Sequence, residues 1–195
     1  MLNRRQLRLK VMEVIYSYDK SVERDIDYQI KYFLNSNKNF YKLYITILSI
    51  FKFLLDQSSL INSKKSKNFL KNESDKFYLK FSKNLFLKKL CSDKTLLDQI
   101  NIHEVDIFDK NPEYIISLLN DIKNSNTFFN YQKKELKNFS EDKVFVIKLF
   151  KQIIAYDNKL YDFFEDREIS WVNDLPLVNS LVLISLKKIN KLSRK

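Results

Sequence analysis

The stretch Ser140-Glu141-Asp142-Lys143-Val144-Phe145-Val146-Ile147-Lys148-Leu149-Phe150-Lys151-Gln152-Ile153-Ile154-Ala155-Tyr156-Asp157-Asn158-Lys159-Leu160-Tyr161-Asp162-Phe163 decides the fold class. Val146, Leu149, Ile153, Tyr156, Leu160 and Phe163 recur three and four residues apart, which lays one apolar stripe along an α-helix. Ser140 suits the N-cap, and Glu141 and Asp142 put negative charge on the positive end of the helix dipole. The pattern predicts one long helix, with Val146, Leu149, Ile153 and Leu160 in the principal core.

The rest of the chain reads the same way. The 195 residues contain no glycine, two prolines and a single alanine, Ala155. Two-residue hairpin turns lean on glycine, so a hairpin-rich β fold is disfavoured. Helices can end on asparagine instead, and asparagine is abundant between the periodic segments. The chain is therefore expected to be all-α. A first helix spans about residues 3–18, capped by Asn3, with Leu7, Val11, Val14, Ile15 and Tyr18 as its core face. Ile26 to Leu34 and Phe40 to Leu55 read as separate helices, and Asp56 to Lys76 reads as a loop. Further helices are expected at Phe77 to Leu90 and Pro112 to Ile122, the second with Pro112 in its first turn. The last helix is expected to be capped by Asn173 or Asp174, with Pro176 in its first turn. Leu177 to Ile189 is apolar on most sides, so Leu181, Val182, Leu183 or Ile184 should be covered, in the first place by the segment before residue 139, otherwise by a second copy or a partner protein.

Composition narrows the function. The missing glycine argues against phosphate-cradling loops and dinucleotide fingerprints, which need it for close backbone approach. With one histidine, His103, and one cysteine, Cys91, a histidine-built metal site or a Ser-His-Asp or Cys-His site has no spare parts. The carboxylates Asp106, Asp109, Glu165, Asp166 and Glu168 fall at expected loops or helix ends. No active site or cofactor is expected. A lone cysteine fits a reducing compartment. The most apolar windows, Leu43 to Leu55 and Leu175 to Leu186, are short of the roughly 20 residues a bilayer span needs, and no signal peptide is evident. A cytoplasmic protein without a membrane partner is expected.

The formal charge is +11, but lysine supplies most of it. There are six arginines against twenty-nine lysines, and three of the six are Arg4, Arg5 and Arg8. Cations at a helix N-terminus oppose the macrodipole by roughly 0.3–1 kcal/mol each. Guanidinium groups gathered there point to a phosphate partner, which the planar fork can bind in bidentate fashion.

Residues 3–16 resemble the arginine-rich N-terminal helix of the NusB transcription antitermination family: an arginine pair at Arg4-Arg5, a third arginine at Arg8, and an apolar stripe ending at Ile15-Tyr16. Phe145 to Phe150 through Leu160 to Phe163 resembles the family's long third helix. Trp171, Asp174-Leu175, Val178 and Leu181 to Leu183 resemble the start of its C-terminal subdomain. Asp174 to Ser180 is most similar to the long-insert variety of the Bacteroidetes group. The two blocks cover about a third of the chain. Glu13 stands where the family often has Gln, and Asn179 where it often has Glu.

The resemblance implies a NusB-like helical bundle in three parts: the arginine-rich helix in residues 1–20, a helical insertion in 21–138, and the long helix with the start of the C-terminal subdomain in 139–195. The family continues through further helices, so that subdomain is expected to be incomplete. The resemblance further implies contact of Arg4, Arg5, Arg8 and Lys10 with boxA RNA. It implies contact of Tyr16, Asp174 and Asn179 with NusE, a small-subunit ribosomal protein, and an indirect link to the RNA polymerase elongation complex on ribosomal RNA operons. As a helical spacing, Tyr16 reads equally as core; Asp174 reads equally as a cap. The alternatives are a protein–protein adaptor or degenerate fragment without RNA specificity, and a NusB-like accessory domain of a ribosomal RNA methyltransferase.

Overall fold

The structure, a computed structural model, describes residues 4–65, 73–133 and 138–190. Among these the chain forms ten α-helices and one 3-10 turn, with no strand. The helices are α1 (Arg4–Lys20), α2 (Ile26–Lys65), α3 (Glu73–Ser82), α4 (Leu85–Cys91), α5 (Lys94–Ile102), α6 (Pro112–Lys123), α7 (Asn126–Gln132), α8 (Phe139–Gln152), α9 (Asn158–Glu165) and α10 (Ile169–Lys188). The 3-10 turn, Ile154–Tyr156, lies between α8 and α9. The fold is all-α.

The central element is α2, forty residues where two short helices and a loop were expected. Asp25 caps it, its carboxylate accepting the Tyr28 N–H at 3.0 Å. The polar run Asn35 to Asn39 does not break it, because asparagine costs a helix only tenths of a kcal/mol while flanking burial contributes more. Phe40 is 2% exposed, and the Trp171 indole donates to the Asn39 carbonyl at 3.1 Å. Buried hydroxyls on α2 satisfy themselves on their own helix: Thr46 on Lys42 O, Ser49 on Thr46 O and Ser58 on Leu55 O. By length and composition α2 could cross a membrane, against the expectation from its shorter apolar window. Here Leu43, Ile47, Ile50, Phe51 and Leu54 are buried under α3, α4, α6 and α10.

One hydrophobic core runs from Phe40 to Leu186 and draws on residues both before and after position 138. Rings fill much of it, as in the stack of Tyr131 on Phe145 at 4.0 Å and the set Phe108, Tyr114 and Phe163. Of the four residues where cover of the last helix was expected, Val182 is buried, Leu181 and Leu183 are partly buried, and Ile184 is 47% exposed. Leu175, Val178, Val182 and Leu186 are fully buried, against α2, α8 and α9. Lys143 donates to the carbonyls of Lys187 and Ile189, and Lys89 to that of Asn190, so two lysines satisfy the open C-terminal end of α10.

The long seam is interrupted. Asn138, not Ser140, caps α8, accepting the Ser140 N–H at 3.1 Å, because buried Phe139 draws the helix start back by two residues. α8 then ends at Gln152. Asp157 recaps the chain by accepting the Lys159 N–H. Val146, Leu149 and Leu160 are buried as expected, Ile153 only partly, and Tyr156 is 79% exposed because the 3-10 turn shifts the helical phase. Likewise Phe77 to Leu90 splits into α3 and α4 where Asn84 accepts the Leu87 N–H. α10 starts earlier than expected, at Ile169, so Pro176 lies inside it and Asp174 is no cap. Burial of Trp171 and its bond to α2 draw that extra turn into the helix. Pro112 opens α6 as expected. The cap expected of Asn3 lies outside the described residues.

Without glycine, one helix ends on a strained residue. Glu104 has φ of 48°, the one positive φ among the described residues. The Val105 N–H reaches Ile100 O and the Glu104 N–H reaches Asn101 O, the two bonds of a Schellman motif. A side chain in this conformation costs roughly 1–2 kcal/mol. Glu104→Gly should raise stability by about 1 kcal/mol, less the extra freedom glycine gives the unfolded chain. Chemical denaturation would read this as a higher midpoint; a lower one contradicts it.

Candidate functional site

No residue of α1 is buried, contrary to the expected core face. Val14 and Tyr18 are half-buried, while Leu7, Val11 and Ile15 are exposed. The reason lies in the partner: α1 packs on the N-terminal end of α2, ahead of the main core, which begins at Phe40.

Arg4, Arg5 and Arg8 are all exposed. None forms an ion pair among the described residues, and the first turn of α1 contains no acidic residue. At 100° per residue they fall within one-third of the helix circumference, so three guanidinium groups share one solvent-facing side. Their charges oppose the dipole, and among the described residues no acidic group pairs with them.

Lys10 has a different environment. It lies in a cleft of about 470 Å³ where α1 and α2 meet α10. Its ammonium donates to Asp174 Oδ2 and to Ser36 Oγ, each at 2.9 Å. Both side chains of the Lys10–Asp174 pair are only 12% exposed. Burial raises the Asp174 carboxyl above the usual carboxylate value, and the bond to Lys10 offsets this only in part. The pair thus ties α1 to α10 across 164 residues of sequence. Arg5 lines the same cleft, so three of the expected site residues, Arg5, Lys10 and Asp174, converge there. Tyr32, Ser36, Ser170 and Asn173 line it as well. No local spacing marks these four, because α2 and α10 bring them together only in the fold.

Tyr16 is 67% exposed, which settles its alternative as surface rather than core, and the Lys20 ammonium lies over its ring at 5.7 Å. Met12 and Ile15 beside it are 64% and 60% exposed. Asn179 is half-buried elsewhere on α10, its amide donating to the Ala155 carbonyl at 3.4 Å. Tyr16, Asp174 and Asn179 therefore do not form one exposed patch.

A somewhat larger cavity of about 510 Å³ lies between α2, α4, α5 and the end of α10, with the Tyr44 hydroxyl bonded to Ser185 Oγ at 2.8 Å on its wall. Its wall is apolar at Ile45, Leu48, Leu90, Leu96 and Ile189 and polar at Lys89, Asp93, Thr95, Gln99 and Lys188. Cys91 is half-buried. Burial pushes its thiol up to about 12, which leaves little thiolate at neutral pH. His103 caps the end of α5 and meets the Tyr41 ring edge-on at 5.1 Å. Among the described residues no group of three or more His, Cys, Asp or Glu side chains could hold a metal ion.

Comparison of the chain with protein-family models, with curated proteins and with solved structures finds no match.

Proposed function

We propose that this chain is an RNA-binding transcription antitermination factor of NusB type, acting without catalysis in the cytoplasm. In this reading α1 grips boxA-like RNA through Arg4, Arg5 and Arg8 and joins NusE, favouring elongation through ribosomal RNA operons. One observation carries the RNA contact: three exposed arginines, with no ionic partner among the described residues, share one side of the helix end that least favours cations. Lys10, already bonded to Asp174, holds α1 in place and contributes to RNA at most through its field. Unpaired bases would supply sequence choice, since proteins read RNA sequence mainly in single strands.

Each phosphate neutralised on a single strand steepens the log–log salt slope of binding by about 0.7. Replacing Arg4, Arg5 and Arg8 by Gln should flatten that slope by roughly two units for single-stranded boxA RNA followed by fluorescence anisotropy. The exposed lysines Lys94, Lys148 and Lys151 provide the control. Equal flattening when these are replaced would mean diffuse binding and would refute the arginine site.

The exposed Met12, Ile15 and Tyr16 favour a second reading, a protein–protein adaptor without RNA specificity. Binding of NusE alone, with RNA binding absent at low salt, would select it.

A further inference from the structure

α1 and α2 run antiparallel as a helical hairpin, with Lys10 level with Ser36 through the bond between them. α10 closes one flank of this hairpin through the Lys10–Asp174 pair. The other flank, a shallow groove lined by Val11, Ile15, Ile26 and Ile30, is open. On α1 only Gln6, Lys10, Val14 and Tyr18 are half-buried, and the rest are exposed. These four are spaced by four residues, so they form one inward stripe. Two of the four are polar, and the apolar half does not fix the level of α1. Val14 and Tyr18 meet a face of α2 that repeats after four residues at Ile26 and Ile30, so a slide of about 6 Å sets apolar on apolar again.

Lys10 removes that freedom. Its ammonium donates to Ser36 on α2 and to Asp174 on α10, each at 2.9 Å, and lies 5.8 Å from the centre of the Phe40 ring. A slide along α2 pulls it off Asp174, which belongs to a different helix. Both side chains of the pair are only 12% exposed, so losing one partner strands a largely desolvated charge on the other. Such a pair is a poor source of net stability and a good one of register. It also sets direction. At 100° per residue Arg8 stands about 160° round α1 from Lys10, and Arg4 about 120°. Holding Lys10 against the body therefore turns both guanidinium groups outward, and both are exposed.

We infer that Lys10–Asp174 is a register lock and that Asp174, although an anion, is a positioning residue for RNA binding. Through Lys10 it fixes the level and rotation at which α1 presents its arginines to a single strand. The positioning role rests on the RNA reading above; the lock does not.

Hydrogen exchange on the full chain, paired with fluorescence anisotropy of single-stranded boxA RNA at low salt, tests both halves. In Asp174→Asn and in Lys10→Gln the α1 amides should exchange about tenfold faster than in the wild type, with α8 unchanged as the control for folding. RNA affinity should fall about tenfold in both. The sign decides for Asp174→Asn, which removes a negative charge, so that overall charge attraction alone would tighten binding. The two variants are independent, so faster exchange of α8 in one leaves the other to decide. Unchanged α1 exchange in a folded variant overturns the lock. Faster α1 exchange in an Asp174→Asn that binds RNA as tightly as the wild type, or more tightly, overturns the positioning role and leaves the RNA reading standing. A wild type that binds no boxA RNA sinks the RNA reading and the positioning role with it, and the exchange result then decides the lock alone.

Discussion

Phe150→Ala is expected to lower the stability of this protein by about 3–5 kcal/mol, and Leu149→Ala by about 2–5 kcal/mol. Leu149 is fully buried and Phe150 is 1% exposed, both on α8 where it faces the central helix. The Phe150 ring meets that of Phe51 on α2 at 6.1 Å. Removing it takes away the transfer energy of the ring and leaves a cavity that rigid neighbouring helices fill poorly. Since small domains are stable by only about 5–15 kcal/mol, either change should be visible as a large drop in the midpoint of urea unfolding. Val144→Ala on the same helix is the contrast, because Val144 is 51% exposed. An effect of Val144→Ala equal to that of Phe150→Ala would mean that α8 is rotated relative to the core described here.

The second large effect concerns a buried carboxylate. Asp142 is 5% exposed. Its Oδ1 accepts the Tyr131 hydroxyl at 2.5 Å and its Oδ2 accepts the Leu85 N–H at 2.7 Å. Tyr131 in turn accepts from Asn84 Nδ2 at 3.2 Å, and Asn84 caps α4. One carboxylate thus holds α4, α7 and α8 together. Asp142→Ala leaves the buried Tyr131 hydroxyl proton and the part-buried Leu85 N–H without acceptors, at roughly 1–3 kcal/mol each, so a total of about 2–6 kcal/mol is expected. Asp142→Asn keeps an acceptor for the Leu85 N–H and should cost less. Combining Asp142→Ala with Tyr131→Phe should be less than additive, with a coupling of about 0.5–3 kcal/mol; simple additivity would show that the two groups do not interact.

The same network gives a sign to the alkaline behaviour. Burial first, and the bond to Asp142 second, hold the Tyr131 hydroxyl above its ordinary value of 10.0. The unfolded tyrosine then releases its proton at a lower pH than the folded one, so stability starts to fall as pH rises through about 10. In Tyr131→Phe this fall should be shallower. It should not vanish, because Tyr114, bonded to Asp157 at 2.8 Å and raised mainly by burial, contributes a slope of its own.

Much of the fold was legible one helix at a time. Pro112 marked the start of α6, the three-four spacing placed Val146, Leu149 and Leu160 in the core, and the apolar girth of Leu177 to Ile189 called for cover that Val182 receives and Ile184 does not. Boundaries were less legible, because they depend on which neighbours bury a segment. The Asn35 to Asn39 run reads as a break, yet it is helical because Phe40 and the Trp171 bond outweigh a small propensity cost. The seam from Val146 to Phe163 reads as unbroken, yet Asp157 caps a new helix within it. Of the site, the arginine trio was legible from composition and dipole. The cleft was not, since Lys10, Ser36 and Asp174 share no local pattern.

The residue order alone determined that the chain is helical, through the absence of glycine turns and the 3.6-residue period of its apolar positions, and that its arginines concentrate at one helix start. These properties follow from local sterics, caps and charge, which act over a few residues. The tertiary structure alone decided that Lys10 bridges to Asp174, that Asp142 joins three helices rather than serving only its own dipole, and that one flank of the α1–α2 hairpin is covered while the other is open. Each of these depends on contacts between residues far apart in the chain. Their energies come from burial and desolvation, which local spacing does not encode.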